Sequence, residues 1–164
     1  MTRDYLRRIS ILLCIIGVLA VNGPILSQGS QSGSMTPSTE LMMKITNPSD
    51  EGSVSDPVSV GGTILGDIPN DHYVWLLTAP ESASGLYWPQ GSDHITPVKG
   101  LWSWVAYLGG ETGNRVGLLV TLVDKGTDQD FRSWAEQGAA TGNYQGIRFP
   151  DNAKIIDKIT VIKK

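Results

Sequence analysis

The chain has 164 residues, 18% of them charged, and a formal net charge of −3, a length for one domain plus a targeting segment rather than for two domains. Its negative balance excludes an electrostatic footprint for nucleic acid. Nineteen Gly and nine Pro point instead to many turns, as short-stranded β folds require.

Residues 1–29 read as a signal peptide or membrane anchor. Arg3, Arg7 and Arg8 flank the apolar run Ile9–Val21, the arrangement of a signal sequence. Cleavage near Ala20 or Gly29 would release the remainder. Retention would leave an anchor to Leu26, short against the roughly 20 apolar residues that span a bilayer. The arginine flank orients the rest of the chain outside the cytoplasmic membrane, so the expected location is secreted or extracytoplasmic. Cys14, the single cysteine, lies in this run, and the chain beyond it has no intrachain disulfide, cysteine nucleophile or thiolate metal site. Leu12 and Leu13 stand where a lipobox needs a small residue, which argues against a lipoprotein. Residues 30–41 are rich in Ser, Gly, Thr and Gln; such a stretch buries too little to order itself and reads as a flexible linker.

A β domain is expected over residues 42–164. Met43 and Ile45 alternate with Lys44 and Thr46, a first strand ending at NPSDEGS. Val58, Val60, Gly62 and Ile64 alternate with Ser59, Gly61 and Thr63, a one-sided strand. Tyr73–Thr78 is an apolar strand around Trp75, Leu86–Trp88 a short edge piece halted by Pro89, and Ile95 a further short piece. Leu101–Asp124 then reads as a long β-hairpin. Trp102, Trp104, Ala106 and Leu108 share one face of its first arm, and Val116, Leu118, Val120 and Leu122 one face of its second. GGETGN between them supplies residues that tolerate positive φ. One helix is predicted over Asp128–Ala139, with Thr127 and Asp130 as a capping box and Phe131, Trp134, Ala135 and Gly138 as its apolar stripe. Ile155–Ile162 closes the domain as a strand. About seven short strands with a single helix favour an antiparallel sandwich, because parallel pairing would need a helical crossover after each strand.

Over about Ile45–Lys163, the run VSVGGTILGDIPNDHYVWLLTAP, the YWPQ piece, GLWSWVAYLGGETGNRVGLLVTLVD and the closing FPDNAKIIDKITVIKK resemble a β-sandwich module of exported or multidomain prokaryotic proteins, carried there as an accessory or uncharacterised piece. In outline the pattern is similar to immunoglobulin-like sandwiches, with Trp75 as the core tryptophan of a central strand and without the inter-sheet cysteine pair. The resemblance implies an all-β, antiparallel immunoglobulin-like sandwich with one helix before its last strand. It supplies no catalytic residues to carry over.

Residues patterned for chemistry are few. His72 and His94 each follow an aspartate, Asp71 and Asp93, but no spacing makes them converge with a third ligand, and turn-forming carboxylates explain both pairs. DKGTDQD (Asp124–Asp130) has acids for calcium without the EF-hand order, and a helix start accounts for it. No GxSxG, HExxH, Walker or dinucleotide motif is present. We therefore assign no catalytic residue, no metal site and no cofactor. Five Trp and five Tyr against two Phe are a stronger signal, since rings with a polar handle suit surfaces that are half wet. Trp75, Trp102 and Trp134 are assigned to the core. Tyr87 and Trp88, beside a proline on an edge, are the candidate contact residues for a ligand or partner.

The expected function is a non-enzymatic, exported or membrane-tethered module for protein interaction or envelope structure. A carbohydrate-binding module using exposed aromatics is the alternative, and a small metal-dependent hydrolase the third reading. Partners are accordingly a protein or glycan of the cell envelope, with the membrane added if the N-terminal segment is retained.

Overall fold

A computed structural model describes residues 40–164; the expected signal or anchor segment and linker residues 30–39 lie outside this range. Within it, strands β1 (Met42–Asn47), β3 (Val58–Leu65) and β6 (Leu101–Ala106) form a three-stranded antiparallel sheet in the order β1-β3-β6. A five-stranded sheet runs β2-β8-β7-β4-β5, built from β2 (Gly52–Val54), β4 (His72–Pro80), β5 (Trp88–Pro89), β7 (Arg115–Asp124) and β8 (Lys154–Lys163). Its pairings are antiparallel except for β2 on β8, which is parallel. A helix, α1 (Lys125–Thr141), links β7 to β8. The described residues are therefore mostly β, in two sheets with one α-helix. No helix among the described residues is long and apolar enough to cross a membrane.

The two sheets enclose one apolar core. Met43, Ile45, Val58, Val60, Trp102 and Ala106 face it from the smaller sheet, and Val74, Leu76, Val116, Leu118, Val120 and Val161 from the larger. Alternation makes this possible, because every second side chain on a strand points the same way. The other face of the larger sheet is also covered: Trp75, Leu77, Leu119 and Val123 pack beneath Phe131 of the helix. Strands β4 and β7 are thus buried on both faces, as their near-continuous apolar runs require.

Two expectations are corrected here. The stretch Leu101–Asp124 is not a hairpin: β6 pairs with β3 and β7 with β4 and β8, so the two arms lie in different sheets. Both arms aim an apolar face at the same core from opposite sides, which produces the alternation a hairpin would. The connection is pinned as a crossover by Asp56, whose carboxylate accepts from the Leu108 and Gly109 amides (2.9 and 3.2 Å) and from Lys163 Nζ (3.0 Å). Leu108 itself is buried. The helix also starts earlier than its capping-box pattern indicates. Its N-cap is Asp124, whose Oδ1 accepts from Thr127 N at 2.8 Å, and Thr127 is buried inside the first turn.

Trp75 needs refinement rather than rejection. It is fully buried on a central strand, but on the face under the helix and not between the sheets. Phe131 meets it edge-on at 5.3 Å, with an interplanar angle of 83°.

Candidate functional site

The helix is fastened to the sheet by one carboxylate. Asp128, one turn into α1 and 5% exposed, accepts hydrogen bonds from Trp75 Nε1 and Arg132 Nε, both at 2.9 Å, with His94 Nδ1 at 3.2 Å. Burial is the strongest single influence on this group and opposes its ionisation. The hydrogen bonds from Trp75 and Arg132, the Arg132 charge and the His94 contact together outweigh it, and Asp128 lies below the usual carboxylate range. This clamp fastens the first turn of the helix to β4, and the later turns of the same helix form one wall of a groove.

That wall is built by Trp134 and Ala139 on the helix flank and by the chain that returns from the helix end. Two indoles clasp the returning backbone: Trp88 Nε1 donates to Tyr144 O (2.9 Å) and Trp134 Nε1 to Gln145 O (2.8 Å). The Tyr144 ring lies over Gly138, where a Cβ would collide with it, and Gly146 leaves the same space for the Trp88 ring. Tyr144 and Trp134 rings are 5.4 Å apart and tilted by 59°. Trp134, assigned to the core from its helical spacing, is half-buried and belongs to this wall.

Gln90 builds the opposite wall. Its side chain, in a residue 5% exposed, donates to Thr78 Oγ1 (3.0 Å) and Trp88 O (3.0 Å), and its Oε1 accepts from Tyr107 N (2.7 Å). Its backbone carbonyl accepts from Trp104 Nε1 at 2.7 Å. One amide thus joins β4 and β5 of the larger sheet to the chain leaving β6 of the smaller. Tyr107 stands beside it, 66% exposed, and Tyr144 across the groove is 49% exposed.

Between these walls lies a groove of about 810 Å³, lined chiefly by Trp88, Tyr107, Leu108, Trp134, Ala139 and Tyr144. That size suits a small ligand or a few side chains of a larger one. No carboxylate, imidazole, ammonium or guanidinium lines it, so the groove offers aromatic and aliphatic surface but no acid–base pair for catalysis.

The two candidate contact residues diverge. Trp88 is half-buried in the groove wall. Tyr87 turns to the other side, where its ring packs 5.1 Å from Phe149 and its backbone exchanges two 2.9 Å hydrogen bonds with Ile147. Successive residues of an extended segment point to opposite faces, and the two rings accordingly lie on different sides of it. Tyr107, Tyr144 and Gln90 were missed by the sequence reading. The available signal was tyrosine beside glycine in loops, at Tyr107–Leu108–Gly109 and Tyr144–Gln145–Gly146.

The histidines do not share a site. The His72 ring meets Asn70 O at 3.0 Å. His94 packs against Tyr73, ring centroids 4.7 Å apart and tilted by 49°, and contacts Asp128, Asp93 and Arg132, with its own backbone amide donating to Asp93 Oδ1 at 2.6 Å. In DKGTDQD, Asp124 caps the helix and Asp128 clamps it. Among the described residues no group of three His, Cys, Asp or Glu side chains could hold a metal ion.

Against known proteins, no family model matches the chain and no curated sequence does either.

Proposed function

We propose that the chain is an exported or membrane-tethered, immunoglobulin-like β-sandwich module that binds a protein partner through the groove between α1, β5 and Tyr107. Supporting the fold reading are the sheet orders, the first two strands falling in different sheets, and β2 running parallel to the last strand. These features suit a Greek-key sandwich with a helix inserted before its final strand. The location rests on the arginine-flanked apolar run at the N-terminus.

The observation that carries the binding reading is the groove's chemistry. Four rings line it, yet both of its indole N–H groups are already committed to the protein's own backbone, and the Gln90 side-chain amide is committed to Thr78 Oγ1 and to the backbone of Trp88 and Tyr107. An apolar side chain needs only such surface. A sugar needs hydrogen-bonding groups beside its stacking face, and here the free ones reduce to hydroxyls such as Ser82, Ser92 and the two tyrosines. The exposed rings of Tyr107 and Tyr144 are what keeps a glycan as the second reading.

Tryptophan fluorescence decides between them. Titration with capped, uncharged peptides carrying Leu, Phe or Trp should perturb Trp88 and Trp134 emission, and Ala139→Arg, which fills the groove from an exposed helix position, should abolish the change. A saturable response to neutral or acidic oligosaccharides, with none to peptides, would replace the protein partner with a glycan.

A further inference from the structure

Resting on the groove reading above, the inference concerns the form of the occupant. The sheets have four edges, and three are closed. At β1, Asp157 reaches across to accept from Ile45 N and from Lys44 Nζ, both at 2.8 Å. At β5, the strand is two residues long, ends in Pro89 and is bridged from Tyr87 to Ile147. At β2, the strand is three residues long. Such short, capped or proline-ended strands are how proteins blunt edges.

The fourth edge, β6, is different. It runs six residues in unbroken register with β3 and contains no charged residue or proline. Ile64 N donates to Gly100 O (2.9 Å) at the end of this pairing. Antiparallel ladders alternate, so Trp102, Trp104 and Ala106 bond to β3 while Leu101, Ser103 and Val105 turn their amides and carbonyls outward. Leu101 confirms the phase, since it exchanges hydrogen bonds with Val98 on that outer side (2.8 and 3.1 Å). Tyr107 N, next but one after Val105, is met by Gln90 Oε1. Between these two closures the N–H and C=O groups of Ser103 and Val105 have no partner among the described residues.

Beside this gap is a second, shallower groove of about 470 Å³, bounded by Ser59, Gly91, Ser92, Ser103, Val105 and Tyr107 among others. It shares Gly91, Ser92 and Tyr107 with the aromatic groove, so the two meet at Tyr107. A strand advances about 3.3 Å per residue, so a segment of a few residues is long enough to reach from Ser103 and Val105 to the lining that the two grooves share. Both grooves lack charged side chains, which complements an uncharged segment and opposes a charged one.

We propose that the occupant is an uncharged, extended peptide segment of another protein. It adds as a strand to the open edge of β6 at Ser103–Val105 and inserts a large apolar side chain into the groove beyond Tyr107. Backbone pairing supplies binding that is indifferent to most of the segment's side chains, and the groove selects one of them.

The test uses the full chain, with a capped peptide of alternating Thr and Val ending in Phe as probe, read by tryptophan emission and by hydrogen exchange at the Ser103 and Val105 amides. Binding should slow exchange at both amides. A peptide N-methylated at alternate positions, and the variant Val105→Pro, should each weaken binding by about tenfold or more, the worth of one backbone hydrogen bond. If both controls bind normally while Ala139→Arg still blocks, the groove takes a side chain without strand addition and this inference falls alone. If no peptide binds at all, it falls together with the groove reading. If the chain alone self-associates through this edge, with those amides protected before peptide is added, the occupant is a second copy and the partner assignment is overturned. Should Val105→Pro fail to fold, the N-methylated peptide decides alone.

Discussion

The two faces of the five-stranded sheet are buried in different ways. The inner face, opposite the smaller sheet, is aliphatic over Val74, Leu76, Val116, Leu118, Val120 and Val161. The outer face, beneath the helix, carries Trp75, Leu77, Leu119 and Phe131 together with the carboxylate of Asp128 and the hydroxyl of Thr121. The inner face gains its stability from area removed from water, roughly 25 cal/mol per Å², and needs no partner geometry. The outer face must place a helix, and a carboxylate accepting from Trp75 Nε1 and Arg132 Nε specifies both position and rotation in a way that apolar contact does not. Aliphatic packing supplies cohesion here, and the polar clamp supplies placement.

Polar intrusion should therefore be worst on the inner face. Leu118→Asp or Val120→Asp puts an unpaired carboxylate among fully buried aliphatic groups, a cost of several kcal/mol against a total stability of about 5–15 kcal/mol. Both variants should be unfolded at room temperature by circular dichroism. A native thermal transition in either would show that this face tolerates charge as the other does.

Removing the clamp should cost less. Asp128→Ala leaves Trp75 Nε1 and Arg132 Nε without their acceptor, although the guanidinium keeps Asp93, and should lower stability by about 2–3 kcal/mol, measured by urea unfolding. The loss should loosen the helix first, seen as faster amide exchange across Lys125–Thr141 than in the strands. Equal loss in both would mean that the clamp supports the whole fold.

Acid should act on the same contrast. The folded values of Asp128 and Asp56 lie below the usual carboxylate range although burial opposes ionisation of each; for Asp56, the Leu108 amide and Lys163 reverse that effect. Asp124 is lowered as well, chiefly by the Thr127 amide. Depressed folded values contribute stability that is complete above the unfolded value of about 3.9 and disappears as pH falls through the folded values. Urea midpoints should thus be steady near neutrality and fall below about pH 4. Asp128→Asn should show a lower midpoint with a shallower fall.

The smallest effect has the opposite sign. Thr121 is fully buried on β7, and its Oγ1 has no hydrogen-bond partner among the described residues. Thr121→Val keeps the shape and removes the stranded hydroxyl, and should raise stability by about 1 kcal/mol. A decrease would place a hydrogen-bonded water at that hydroxyl.

Much of this was legible in the residues. Period-two alternation located β1, β3, β6 and β8, because a strand with one buried face must alternate; β4 was legible as an apolar run, and β7, which reads as alternating, is buried on both faces. The helix was legible from Phe131, Ala135 and Gly138, all buried as their spacing implies. Its start was misplaced because Asp124 and Thr127 are both good capping residues, and only burial of Thr127 tells them apart. The groove was half legible. Trp88 beside Pro89 marked the edge, but Tyr87 was grouped with it although the two side chains diverge. Trp134 carried the same stripe spacing as Phe131 and Ala135, while its indole reaches past the core to Gln145.

By itself the sequence determined most of the strands, the body of the helix and which side chains seek burial, since these follow from local periodicity and from the chemistry of each residue; β2, three residues inside a stretch that reads as a turn, was not legible. Only the tertiary structure decided which strands pair. An apolar face satisfies its burial equally well beside a neighbour in one sheet or across a core from it, so β6 and β7 carry the same pattern under either arrangement. The choice between them fell to contacts remote in sequence, Asp56 holding Leu108 and Gly109 and Gln90 holding Tyr107. Those same contacts leave one edge open beside one groove.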